Sequence, residues 1–175
     1  MNTNKDVFAA LKEISQQLIT MLSSLSEKQL NTVPFEGSWT AGQVGNHLLK
    51  SYAAADILGG ETSECHRKPD EKVWEVKNLF LDFTIKMDSP AEIVPDDGPI
   101  DKAALIPAIE KRLGQFMAFQ ESDVTRICGD FAIPEYGDFT RLEWLWFTVF
   151  HTRRHVYQLE KIKAKLTKSS FINVH

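Results

Sequence analysis

A chain of 175 residues, 43% apolar and 25% charged, has the size and composition of one globular domain, which excludes wholesale disorder and a disulfide-held miniprotein. A net charge of −4 with no basic cluster excludes a non-specific nucleic-acid binder. Two cysteines without CxxC spacing, no basic leader before an apolar run, and no stretch approaching about 18 apolar residues lead to the expectation of a cytoplasmic protein with reduced thiols and no membrane contact.

The first helix is expected over residues 5–25, where Val7, Leu11, Ile14, Leu18, Leu22 and Leu25 recur at spacings of three and four. Residues 26–38 read as a loop carrying Pro34 and Gly37. A capping box, Thr40-Ala41-Gly42-Gln43, then starts a second helix. Its stripe is Val44, Leu48, Ala55 and Leu58, and Gly59-Gly60 stops it.

Residues 61–69 form a polar loop. Val73, Trp74, Val76, Phe80 and Phe83 fit a short helix, with a strand over 79–85 as the alternative. Residues 88–99 hold three prolines and a glycine and read as loop. A third bundle helix is expected over 101–119, with Leu105, Ile109, Leu113 and Phe116 inward and Pro107 kinking or delaying its start. Residues 123–138 read as a Gly-rich connection. A second capping box, Thr140-Arg141-Leu142-Glu143, opens the last helix, whose Leu142, Leu145, Val149, Val156, Leu159 and Ile162 run on to about residue 166.

Four long amphipathic helices predict an all-α four-helix bundle with long connections between the middle helices, so that up-down-up-down order does not follow. The whole chain, 1–175, reads as one unit with its core over about 5–166 and a flexible tail over 167–175. Lys161, Lys163, Lys165 and Lys168 sit at the end of the last helix, where cations oppose its negative dipole end.

The chemistry lies in the histidines. His151 and His155, four apart, project from one helix face, and their imidazoles can converge on one ion at about 2.0–2.1 Å. A half-buried pair satisfied by hydrogen bonds has the same spacing. His47 lies beside the core stripe of the second helix, and in a bundle such inward residues meet around a shared axis. Three unligated imidazoles buried together would each need hydrogen-bond partners, whereas one divalent ion resolves all three. The predicted metal ligands are therefore His47, His151 and His155. His66, in a polar loop, and His175, at the terminus, read as solvent-exposed.

Gln158 shares the face of His151 and His155. It is either a hydrogen-bonding partner of a ligand or a partly exposed polar residue. Arg154 is either an anion anchor at the same cavity or a solvated charge. Trp144, Trp146, Phe147 and Phe150 cover too many directions for one stripe, which predicts packing on a second copy of the chain, as a homodimer, or around a pocket.

These motifs resemble the DinB / YfiT-like group of four-helix-bundle proteins. The residues that carry the resemblance are Trp39-Thr40 followed by His47-Leu48, then Tyr136-Gly137-Asp138-Phe139-Thr140, Glu143-Trp144, His151, Arg154-His155 and Gln158-Leu159. The resemblance spans about residues 5–166, with its specific motifs on the two His-bearing helices. It implies a divalent metal of zinc or nickel type on the three histidines, often in a homodimer. It also implies thiol-dependent transferase activity, adding a low-molecular-weight thiol such as bacillithiol to a small electrophile. Two alternatives stand beside transfer: a metal-dependent hydrolase, and a non-enzymatic metal- or ligand-binding stress protein. No Glu stands beside His151 or His155 as it does in an HExxH enzyme, so no general base is evident.

Overall fold

The apolar stripes just described converge on one interior in the computed structural model, which describes residues 4–172 and the side chains of 4–168. The first helix, α1 (Asn4–Ser23), buries Val7, Leu11, Ile14, Leu18 and Leu22. Each fully buried aliphatic side chain contributes about 1.5–3 kcal/mol. A short second helix, α2 (Glu27–Leu30), follows where a loop was expected. Its start is a capping box: the Gln29 amide donates to the Ser26 hydroxyl at 3.2 Å, and the Ser26 amide donates back to Gln29 Oε1 at 2.9 Å.

The Thr40 capping box forms as the sequence predicts, with its two bonds at 3.0 and 3.1 Å. The helix it opens divides at Tyr52 into α3 (Ala41–Ser51) and α4 (Ala54–Gly59). Gly45 lets α3 pack closely on the next bundle helix: a Cβ there would meet Leu105 Cδ2 at 2.8 Å and displace that side chain. The 61–100 region yields β1 (Thr62–Ser63), α5 (Val73–Leu81) and a single 3-10 turn (Ala91–Ile93). Helix, not strand, takes the start of 79–85. Val73, Val76 and Phe80 face inward on α5, whereas Trp74 and Phe83 stay exposed.

Helix α6 (Lys102–Met117) is capped by the Asp101 carboxylate, which accepts the Ala103 amide at 2.8 Å. Pro107 is tolerated inside it. The proline cannot serve the Ala103 carbonyl, and both residues are exposed, so water can. The 123–138 connection proves to be β2 (Ile127–Ile133) and β3 (Gly137–Thr140), so the purely helical expectation needs correcting. β2 lies between β1 and β3 in an antiparallel sheet, pairing Cys128 with Thr62 and Ile127 with Thr140, with a bulge further along. The sequence hid this hairpin because β2 buries only Cys128 and shows no alternating burial.

The last helix, α7 (Arg141–Ile172), runs past its expected end at 166; the rest of the expected tail, His175 included, lies outside the described residues. Helices α1 and α3 each pack against both α6 and α7. Consecutive bundle helices therefore sit across the bundle from one another at two of the three connections, rather than side by side as in a simple bundle. No helix among the described residues is long and apolar enough to cross a membrane.

The start of α7 is fastened by a buried carboxylate. Glu143 closes the Thr140 capping box and is 1% exposed. It accepts both Arg67 Nη atoms, at 2.6 and 2.7 Å, and the Lys72 amide at 2.9 Å. The aromatic run beside it packs within the chain: Trp144 and Phe147 contact Phe139 of β3, Phe147 contacts Phe80 of α5, and Trp146 stacks on Phe150. Trp144 and Phe147 are thus engaged by α5 and the hairpin, and Trp146 and Phe150 by each other.

Candidate metal centre and its cleft

His47 projects from the middle of α3, and His151 and His155 from successive turns of α7. These positions put all three rings in the interior, at 2%, 6% and 8% exposure. His151 Nε2 lies 3.1 Å from His47 Nε2 and 3.1 Å from His155 Nε2. The three predicted ligands therefore do come together, with one ring nitrogen each inside a 4.8 Å span.

The outer nitrogens fix the protonation of the inner ones. His47 Nδ1 lies 2.7 Å from the Ile93 carbonyl, which can only accept, so the hydrogen is on Nδ1. His155 Nδ1 likewise donates to Gln158 Oε1 at 2.8 Å. Both of these rings then turn a bare Nε2 lone pair toward His151. His151 Nε2 can carry one hydrogen and satisfy one neighbour. The other 3.1 Å contact sets lone pair against lone pair.

A cation among the three removes this conflict. Bonds of about 2.0–2.1 Å place ligand nitrogens about 3.3 Å apart around a tetrahedral ion and about 2.9 Å apart around an octahedral one, which brackets the two 3.1 Å contacts to His151. The donor set therefore fits a divalent metal ion.

The electrostatics agree. Burial, then the neighbouring His155 and His47, hold His151 well below its ordinary range. Burial, then His47, lowers His155 to about 3. Burial also lowers His47, with Lys50 adding to the effect against the Ile93 hydrogen bond. All three are thus neutral at neutral pH, the form that ligates. Trp39, Phe80 and Phe147 wall the rings at centroid distances of 5.1, 5.2 and 5.8 Å.

Two supports were not read from the sequence. The Ile93 carbonyl, on the 3-10 turn, orients His47. Helix α3 holds that turn in place through two neighbours of His47. Asn46 accepts the Asp96 amide at 2.9 Å, and Lys50 donates to the Val94 carbonyl at 2.7 Å and to Asp96 at 2.8 Å. The Lys50 and Asn46 contacts hold the Asp96 carboxyl below the usual carboxylate range. A backbone acceptor has no residue-type signature; only the polar neighbours Asn46 and Lys50 hinted at a partner for that face.

Gln158 sits where it can position a ligand, on His155. Arg154 is half-buried beside the cavity and committed to backbone carbonyls. Its guanidinium donates to the carbonyls of Phe80 at 3.2 Å, Asp82 at 2.9 Å and Ile85, closing the C-terminal end of α5. His66 is not part of the cluster.

The three histidines line a cavity of about 1220 Å³ that opens between α3, α5, α7 and the hairpin. Among the described residues, no carboxylate bonds to any of the three rings.

Comparison with known proteins agrees with this fold. The chain is similar in structure to YfiT from Bacillus subtilis, described as a probable metal-dependent hydrolase with an unusual four-helix bundle topology. The TM-score is 0.58 at 19% identity, over 94% of this chain and 87% of that one. No curated protein matches the chain. The family model of the DinB superfamily matches residues 10–159, and the chain belongs to that superfamily.

Proposed function

We propose that the chain is a metal-dependent enzyme in which His47, His151 and His155 hold one divalent ion, and that it transfers a low-molecular-weight thiol to a small electrophile. The observation that carries the reading is the convergence of three Nε2 atoms, at 3.1 Å contacts with one hydrogen to share, in the wall of an open cleft. An ion held by three neutral ligands keeps its full charge and an open position, and so lowers the pKa of a thiol or a water that reaches it. The chain's own residues orient and shield. Ile93 and Gln158 fix the ring faces, and Trp39, Phe80 and Phe147 keep bulk water from them. Transfer is favoured over hydrolysis because no carboxylate base bonds to the triad, and a thiol brings its own acidic proton.

Hydrolysis is the second reading, favoured by the description of YfiT. The test is metal analysis of untagged protein, then a screen of the loaded protein. One set pairs several thiols with model electrophiles; the other holds esters and amides without thiol. Thiol-dependent turnover that disappears in His151→Ala supports transfer. Turnover of the second set alone favours hydrolysis. A metal-loaded protein inert to both favours a binding protein without catalysis.

A further inference from the structure

The cleft is far larger than an ion and a water require. At about 1220 Å³ it exceeds the roughly 300–1,000 Å³ usual for small-molecule sites, while a water occupies about 30 Å³. The polar side chains nearest the triad are already engaged: Lys50 by Val94 and Asp96, Arg154 by three carbonyls, Gln158 by His155. Two small hydroxyls on its walls also face local carbonyls, Ser38 toward Trp39 at 2.9 Å and Ser51 toward Leu48 at 2.8 Å. A polyhydroxylated or multiply charged ligand would lose its water there without replacement partners.

What the walls do offer is ring and alkyl surface. Phe83 stacks on Tyr157 at 4.1 Å. Phe35 and Phe131 line the same cavity, yet they stand 51% and 49% exposed. Exposed rings rimming a cleft mark a surface that a ligand covers. The mouth carries both signs, Lys86 and Lys161 against Asp88 and Glu92, and so selects no net charge.

Resting on the metal-site reading above, we infer that the molecule acted on is elongated and mostly apolar: an alkyl or aryl body with one polar head, the head at the histidines and the body along the aromatic walls. Polar recognition is concentrated at the triad, and the body is held mainly by contact area.

Two titrations test this. The first takes straight-chain alkyl hydroxamates, from acetohydroxamate to decanohydroxamate, into zinc-loaded protein by calorimetry. Affinity should rise about fourfold per methylene, the tenfold-per-1.4-kcal/mol equivalent of burying a CH₂. A series that binds without chain-length dependence overturns the proposal and leaves the metal reading intact. The second takes uncharged N-phenyl-1-naphthylamine into metal-free protein. One saturable site per chain is expected, kept in His155→Ala and weakened about threefold or more in Phe83→Ser and Phe131→Ser. Trp74→Ser, which removes a 67% exposed ring outside the cleft, should leave it unchanged. Naphthylamine binding without any hydroxamate binding keeps the apolar cleft and sinks the metal reading. No saturable site, or equal loss in Trp74→Ser, overturns the proposal.

Discussion

Helix α7 carries two buried polar clusters about two turns apart, and they are built to opposite rules. At its start, Glu143 receives four donors: Arg67 twice, the Lys72 amide and the Thr140 amide. Those four donors match the four lone-pair sites of a carboxylate. Further along, His47, His151 and His155 aim three nitrogens at one another with a single hydrogen among them. The first cluster is complete without any visitor, and it fastens the 67–72 segment to the helix. The second is short of positive charge, and it faces a cavity. A saturated polar cluster supports the fold, whereas an undersaturated one at a cleft is where a ligand belongs.

The largest effect should come from breaking the second cluster. Untagged protein should hold about one divalent ion per chain. His155→Ala should lose it entirely, with activity, while the far-ultraviolet helical signal stays near the wild-type value, since the helices carry their own apolar faces. Joint collapse of helix and metal binding would instead make the ion structural.

Acid should separate the clusters next. An unfolded histidine gains a proton as pH falls below about 6.5. Folded His155 resists until about 3. The metal-free protein should therefore lose stability as pH falls through that window, about 1.4 kcal/mol per pH unit from His155 alone. His151 and His47, also lowered, add in the same direction. Above about pH 6.5 these groups contribute no slope. Urea unfolding midpoints measured across this range would show it, and a midpoint unchanged down to about pH 5 would contradict the buried neutral triad.

Glu143→Ala tests the first cluster. Removing the carboxylate leaves Arg67 and two amides without their acceptor, a loss of about 3–5 kcal/mol. The thermal midpoint should fall steeply, while folded protein still takes up metal below the new midpoint. Loss of metal at full foldedness would show that the clusters are coupled.

The smallest change is Gln158→Ala. It frees His155 Nδ1 from its acceptor, so zinc affinity should fall about 10–100-fold by competition titration. Stability of the metal-free form should move little. Gln158→Glu, which keeps an acceptor, should recover most of the affinity.

The helices and the triad were legible because local rules govern them. The Thr40 and Thr140 boxes mark where α3 and α7 begin, and the stripes on α1, α6 and α7 name residues that prove buried. The Ser26 box is equally local, but it stands within a stretch whose proline and glycine read as loop. Other features rest on partners far away in sequence. Glu143 reads as a capping residue, but nothing local says that Arg67 will meet it. Thr62 pairs with Cys128 only once both lie beside the bundle. Arg154 reads as a free cation until α5 ends against it. Ile93 acts through its carbonyl, and no choice of side chain advertises that.

The cross-bundle placement of consecutive helices has a bearing on how the chain acquires its shape. The partners of α1 are α6 and α7, so its apolar face waits for segments made much later. Closing that contact requires bringing together chain ends separated by everything from residue 24 to residue 140, an ordering cost that local helix pairs avoid. The three histidines straddle the same gap, one on α3 and two on α7. During synthesis a ribosome must therefore release α7 before α1 is fully covered or the three rings can meet. Assembly of the triad is thus a late event, and it reports that the last helix has docked.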